Sequence, residues 1–193
     1  MKSNHWKCLT ILGTFLLPDL ASAHILPAGI PHDLQNGFAH PFFGLDHLLA
    51  MFAIGLWASQ QRGRAVWMIP ATFIAAMILG GALGLTGALW PYVEIGIAFS
   101  VLVLGVFIAR ATRFNLSLSV GLIVFFALCH GYAHGHEMPG STRALSFSFG
   151  FISATLLLHG LGWASGIYFQ KQPRALRFAG GAIALCSVYF FLN

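Results

Sequence analysis

Six apolar segments joined by short loops occupy most of the chain, and this pattern restricts the fold more than any other feature. The segments cover residues 42–59, 65–86, 93–109, 116–134, 145–169 and 177–192. A helix of about 20 apolar residues crosses the hydrocarbon core of a bilayer. Only 8% of the residues are charged, whereas soluble domains carry about 25%. The sequence therefore predicts an all-α, polytopic membrane protein, a single domain of six transmembrane helices in the lipid bilayer.

The start of the chain has the pattern of a cleavable secretory signal peptide. Two lysines precede a short apolar stretch, and a small-x-small cleavage motif ends at Ala23. We expect residues 1–23 to be removed, so that the transmembrane domain comprises residues 24–193. Residues 24–41 contain three prolines and no hydrophobic period, and we expect an ordered or semi-ordered extracytoplasmic arm. His24 would then be N-terminal, and its amine and imidazole could chelate a metal; alternatively, it merely follows the cleavage site.

Basic residues predict the orientation of the segments. Seven of them lie around the loops that follow the first, third and fifth segments: Arg62, Arg64, Arg110, Arg113, Lys171, Arg174 and Arg177. The loops after the second and fourth segments hold only Arg143. Because lysine and arginine favour the cytoplasmic side, we expect both termini outside, which in a bacterium means periplasmic termini and the inner membrane. The net charge of +5 is explained by this bias and does not indicate a nucleic-acid partner.

The end of the fourth segment carries a group of ionisable residues. His130, His134 and Glu137 are spaced i, i+4 and i+7, so they share one face of a helix. An ionisable group at mid-bilayer costs about 2.5–3.5 kcal/mol on insertion scales. The sequence therefore indicates that these residues are used, with metal binding as the leading interpretation. The alternative is a set of histidines hydrogen-bonded between helices.

A second group, His40, Asp46 and His47, lies at the outer entrance of the first segment. With a rise of 1.5 Å per residue, His47 lies about 8 Å and His130 about 10 Å inside the membrane. The first and fourth segments run in opposite directions, so we expect the two groups to meet in the outer leaflet. Glu94, at the outer start of the third segment, belongs to the same layer; alternatively, its carboxylate is stabilised by the helix N-terminus.

His159 lies apart from these groups, in the inner half of the fifth segment. Two interpretations are open for it: a lower metal-binding station, or a histidine hydrogen-bonded to a neighbouring backbone. The two main groups are rich in imidazole and carboxylate, which suits Ni²⁺, Co²⁺ or Zn²⁺. Cu(I) would need more thiolate or thioether, and Mg²⁺ or Ca²⁺ would need mostly oxygen ligands.

The motifs are similar to those of the HupE/UreJ family of membrane proteins. His40-x5-Asp46-His47, followed by Leu-Leu-Ala-Met, resembles the family's first-helix signature, and His130-Gly-x-Ala-His134-Gly-x-Glu137 resembles the second. Pro91-x-x-Glu94 is similar to the family's third-helix segment. The resemblance covers essentially the whole chain. It implies metal-binding roles for the matched positions, which are His40, Asp46, His47, His130, His134 and Glu137.

The same resemblance implies a nickel permease that serves nickel enzymes such as hydrogenase and urease, and some relatives are linked to cobalt. Two features leave the metal preference open. Cys129 stands where the family usually has phenylalanine, and His136 occupies a variable position as an additional candidate ligand. We therefore expect a secondary transporter with Ni²⁺ as its substrate, Co²⁺ and Zn²⁺ as alternatives, and no bound organic cofactor.

Two other functions are compatible with the same residues. The first is a membrane metalloenzyme such as a hydrolase, because His130 and His134 have the spacing of the zinc-protease helix motif. In that motif a glutamate follows the first histidine as general base, but Gly131 stands there, although Asp46 or Glu137 could still activate a metal-bound water. The second is a delivery protein that binds metal without translocating it.

Overall fold

The computed structural model describes residues 33–138 and 143–192, and this part of the chain is helical, without strands. Its seven helices are α1 (Asp33–Phe43), α2 (Leu45–Ser59), α3 (Ala65–Gly84), α4 (Val93–Arg110), α5 (Leu116–His136), α6 (Ala144–Tyr168) and α7 (Pro173–Leu192). The predicted signal peptide and His24 lie outside the described residues. The all-α fold class is confirmed.

Five helices, α3 to α7, are long and apolar enough to cross a membrane. Their most apolar stretches have mean hydropathies between 1.6 and 2.1. Helices α1 and α2 pass the same test as a pair, although the chain bends by 85° between them. The described residues therefore form a multi-pass membrane protein with five spans, or six if the bent pair counts as one. The bounds of the five later predicted segments agree with those of the observed helices to within four residues.

The structure differs from the prediction at the first span. Residues 33–43 form helix α1, whereas the sequence predicts a single span that starts at residue 42. Gly44 separates the two helices, and its φ of −95° and ψ of 111° are extended rather than helical. The residues that helix α1 buries are Gly37 and Pro41. A Cβ atom on Gly37 would overlap the backbone of Phe147, so α1 is held by close packing on α6.

Glycine also brings the longer helices together. A Cβ atom on Gly55 of α2 would overlap the backbone of His159 in α6, and one on Gly131 of α5 would overlap the backbone of Met77 in α3. In lipid there is little hydrophobic drive between helices, so small residues that permit close van der Waals contact stabilise the pairs. These contacts fix α2 against α6 and α5 against α3, and they thereby position the helices around the candidate site.

Helix α2 lies in the middle of the bundle and contacts α4, α6 and α3. At its C-terminal end the Trp57 indole donates a hydrogen bond of 2.9 Å to the carbonyl of Thr112, and the Gln61 amide donates to the same oxygen at 3.1 Å. Arg113 donates back to the carbonyl of Gln60 at 2.6 Å. These bonds tie the end of α2 to the α4–α5 loop, and the N-terminal end of α2 faces the other side of the bundle.

Candidate metal centre

The two histidine motifs, which are distant in sequence, lie side by side in the structure. The ring centroids of His47 and His134 are 4.2 Å apart, and those of His47 and His130 are 4.9 Å apart. The ring of His40 lies 4.8 Å from that of His134. We call these four residues, from α1, α2 and α5, the histidine cluster. The expected meeting of the two motifs is therefore observed in the structure.

Local geometry explains how three helices contribute to one cluster. His130 and His134 lie one helical turn apart on α5, as the spacing predicts. His47 is in the first turn of α2, and the bend at Gly44 turns the last residues of α1, including His40, back toward α5. A Cβ atom on Gly44 would lie 3.0 Å from Asp46 Oδ1. Glycine at the bend therefore leaves room for the Asp46 carboxylate.

Asp46 orients the ring of His47. Its Oδ1 atom accepts a hydrogen bond of 2.8 Å from the His47 backbone N–H and lies 2.9 Å from His47 Nδ1. A carboxylate beside Nδ1 favours the tautomer that carries the proton there, which leaves Nε2 free to bind a metal. His47 Nε2 is buried and has no hydrogen-bond partner among the described residues. Asp46 thus makes the type of contact that supports a metal-binding histidine.

Ser100 of α4 orients the ring of His130 in a similar way, but through the other ring nitrogen. Its hydroxyl donates to the carbonyl of Ile97 at 2.7 Å and lies 2.9 Å from His130 Nε2. Because the hydroxyl proton is used, Ser100 accepts a hydrogen bond from His130 Nε2–H, and Nδ1 is left as the unprotonated atom. His130 Nδ1 is buried without a partner in the described structure. Ser100 was not among the predicted site residues, and its only signal in the sequence is that of a polar residue inside an apolar segment.

His134 has both ring nitrogens buried without hydrogen-bond partners among the described residues. A bound metal ion would satisfy one of them, since His40, His134 and Glu137 each offer a ligand atom and these atoms lie within 4.8 Å of one another. A buried polar group without a partner costs about 1–3 kcal/mol. A dication bound here would therefore supply a partner for a buried nitrogen of His134 and remove this cost.

Two carboxylates lie at the mouth of the cluster. Glu137 caps the C-terminus of α5 and is exposed, and Glu94 is exposed in the first turn of α4. Both carboxylates interact electrostatically with His47, and with each other. Together with Asp46 they supply negative charge that would offset a divalent cation entering a low-dielectric region.

Two other predicted histidines, His136 and His159, are among the described residues and lie outside the cluster. The exposed ring of His136 stacks on Tyr132 at 5.6 Å. Tyr132 in turn donates a hydrogen bond to the carbonyl of Ala88 and accepts one of 3.1 Å from the backbone of Trp90, so this pair holds the α3–α4 loop. His159 is buried in α6 and contacts Phe73, which also contacts His130. The structure therefore brings together all six residues matched to the family signatures, but not His136 or His159.

Comparisons with known proteins agree with the motifs. The family described as "HupE / UreJ protein" matches residues 12–190. Protein HupE of Rhizobium leguminosarum bv. viciae is 40% identical over 182 residues, which covers 93% of this chain and 94% of the relative. No solved structure gives a significant match. The family is associated with nickel or cobalt transport or with an accessory function. The resemblance inferred from the two histidine motifs is confirmed, and the chain belongs to the HupE/UreJ family.

Proposed function

We propose that this chain is a permease that carries divalent transition-metal ions inward across the bacterial inner membrane, with Ni²⁺ as its substrate and Co²⁺ or Zn²⁺ as competitors. The observation that carries the proposal is the histidine cluster, in which imidazoles from three helices lie together and those of α2 and α5 present buried nitrogens without hydrogen-bond partners among the described residues. A donor set rich in imidazole, with carboxylates nearby, favours Ni²⁺, Co²⁺ and Zn²⁺ over Mg²⁺ or Ca²⁺.

The exposure of the donors decreases from the mouth inward, which supports a path rather than a closed cage. Glu137 is exposed and His40 is partly buried. His134 is 6% exposed and His130 is fully buried. A metal ion would exchange water for Glu137 and His40 first, then reach the partly buried His47 and the adjacent His134, and His130 last. Several weak sites in series allow an ion both to bind and to leave.

The membrane potential supplies enough free energy for uptake without ATP. Moving one elementary charge across 100 mV is worth about 2.3 kcal/mol, so a dication gains about 4.6 kcal/mol. The site must therefore release the ion rather than hold it tightly. We propose that this accumulation supports the maturation of nickel enzymes, which is the accessory role associated with the family.

Uptake of ⁶³Ni²⁺ into proteoliposomes that contain only this protein tests the proposal. With an inside-negative potential we expect accumulation that Co²⁺ and Zn²⁺ reduce. His134→Ala should lower uptake at least about tenfold because it removes a ligand. His136→Ala is the matched control, since that histidine stacks on Tyr132 outside the cluster, and its uptake should stay close to that of the unaltered protein.

Two results would contradict this function, and a third would contradict the assigned path. Binding of nickel without accumulation in the vesicles would indicate a delivery protein. Metal-dependent hydrolysis of a lipid or peptide without flux would indicate an enzyme. Uptake that is insensitive to both His134→Ala and His130→Ala would exclude the histidine cluster from the transport path.

A further inference from the structure

His159 is a buried histidine that the proposed path does not use. It lies in α6, is 3% exposed, and neither ring nitrogen has a hydrogen-bond partner among the described residues. The alternative interpretation, a histidine bonded to a neighbouring backbone, therefore has no support in this geometry. A neutral imidazole always carries one N–H, and leaving that donor unpaired in an apolar interior costs about 1–3 kcal/mol.

A single aromatic ring connects His159 with the histidine cluster. The fully buried ring of Phe73 lies 5.8 Å from the His130 ring and 5.3 Å from the His159 ring, measured between centroids. Along α6, Phe151 packs against His134 at 4.1 Å. His159 comes eight residues later, which places it about 12 Å further along the helix axis. His159 therefore lies about two helical turns beyond the level of Phe151 and His134, and Phe73 contacts both its ring and that of His130.

A buried thioether and a buried hydroxyl line the interval between the two levels. Met51 is one turn beyond His47 on α2, and Thr155 is one turn before His159 on α6. The Thr155 hydroxyl lies 3.3 Å from the Met51 sulfur, and both residues are fully buried. Thioether and hydroxyl are weak ligands for a divalent first-row metal. They could contact a passing ion without trapping it.

On its other side His159 lies beneath an open groove between α3 and α6 on the surface of the bundle. The remaining lining is mainly apolar or aromatic and includes Pro70 and the exposed rings of Trp67 and Trp163. This groove offers no side chain that would pair with the imidazole. Among the residues that the structure describes, metal-binding side chains near His159 are therefore found in two places. One is the Met51–Thr155 pair, and the other is the histidine cluster beyond Phe73.

We propose that His159 is a second, deeper metal-binding station, which an ion reaches from the histidine cluster by passing the Phe73 ring along Met51 and Thr155. The inference rests on the proposed transport function and specifies the inward route. Phe73 separates the two stations and must rotate or shift for an ion to pass. Two stations in series also avoid the tight binding that a single site would impose on the ion.

Replacement of His159 by leucine distinguishes a station from a space-filling residue. Leucine is similar in size and removes two buried polar atoms that have no partner among the described residues. If His159 only fills space, His159→Leu should leave both thermal stability and nickel uptake unchanged or improved. If His159 is a station, the same variant should keep its stability and its equilibrium binding of ⁶³Ni²⁺ at the histidine cluster, but lose at least about tenfold in uptake.

Further variants make the experiment decisive in reconstituted vesicles. His159→Cys supplies another metal ligand and should retain more uptake than His159→Leu. Leu161→Ala is the matched control, because that side chain is 49% exposed on the same helix, and its uptake should be unaltered. If His159→Leu does not fold, His159→Gln takes its place, since glutamine keeps a buried polar group but binds nickel poorly.

The outcomes separate this inference from the transport proposal. Uptake by His159→Leu within about twofold of the unaltered protein would overturn the inner station and leave the permease intact. Absence of uptake by the unaltered protein would overturn both. Loss of equilibrium binding in His159→Leu, together with loss of uptake, would also overturn the inference, because it would mean that His159 supports the histidine cluster instead.

Discussion

At the scale of single residues, the cluster depends on neighbours that select the tautomer of two of its imidazoles. Asp46 fixes the Nδ1 proton of His47, and Ser100 fixes the Nε2 proton of His130. The nitrogen left unprotonated is therefore Nε2 in His47 and Nδ1 in His130, and both atoms are buried without a hydrogen-bond partner among the described residues. Such supporting contacts typically change metal affinity or activity about 10–100-fold when removed.

Ser100→Ala tests this role directly. Without the hydroxyl, His130 loses the acceptor for its Nε2–H, and the proton is free to move to Nδ1, the atom that should bind the metal. We expect nickel uptake to fall about tenfold with little change in thermal stability. Ser119→Ala is the matched control, since Ser119 is also fully buried in a span but its hydroxyl donates to the carbonyl of Asn115, away from the cluster. Equal effects of the two variants on uptake would contradict the tautomer argument.

At the scale of helices, the glycine that follows each cluster histidine on α5 allows this helix to pack closely against α3. Gly131 and Gly135 face α3, and a Cβ atom on either would overlap the backbone of Met77 or Gly81. The repeated His-Gly pair therefore gives α5 one face for the cluster and an adjacent face for close packing. This arrangement keeps α3, with Phe73, against the cluster.

Gly131→Ala should consequently destabilise the protein. The added methyl group has no space at the α3–α5 contact, and overpacking of this kind typically costs about 1–3 kcal/mol. Gly121→Ala on the same helix provides the comparison, because a Cβ atom there meets open space. Thermal unfolding in detergent should show a lower midpoint for Gly131→Ala alone. A midpoint equal to that of Gly121→Ala would mean that α3 and α5 do not pack as closely as described.

Most of the helices can be predicted from the sequence. The same physical reasons explain why helix α1 and some side-chain contacts cannot. Apolar length reveals α3 to α7, and the i, i+4 spacing places His130 and His134 on one face without reference to any neighbour. Helix α1 is different, because glycine contacts with α6 hold it, and such contacts belong to the tertiary structure. The same holds for the hydrogen-bonded roles of Ser100 and Tyr132, since a polar residue in an apolar segment does not name its partner.

At the scale of the whole molecule, the two ends of the bundle differ. One end carries the histidine cluster with the exposed carboxylates of Glu94 and Glu137. At the other end of α2, Trp57 packs against Phe107 and Phe114, with centroid distances of 5.3 and 6.4 Å. On the proposed transport route, an ion that enters at the cluster would leave through an end that aromatic packing and hydrogen bonds close, so release would require movement of the α2 terminus.

The direction of transport depends on which end faces the periplasm, and topology reporters can determine this. Seven basic residues lie in or beside the α2–α3, α4–α5 and α6–α7 connections at the Trp57 end, whereas Arg143 precedes α6 at the other end. Because they favour the cytoplasm, alkaline phosphatase fused after the last residue should be active, and the same enzyme inserted after Gln172 should be inactive. Green fluorescent protein at these two positions should give the opposite pattern.

The reverse result would change the physical argument for uptake. It would place the histidine cluster on the cytoplasmic side, where the membrane potential opposes outward movement of a dication by about 4.6 kcal/mol per 100 mV. Accumulation in the cell would then require ions to reach the cluster last, from the closed end of α2. The fusion result therefore decides whether the exposed carboxylates capture metal from the periplasm or release it into the cytoplasm.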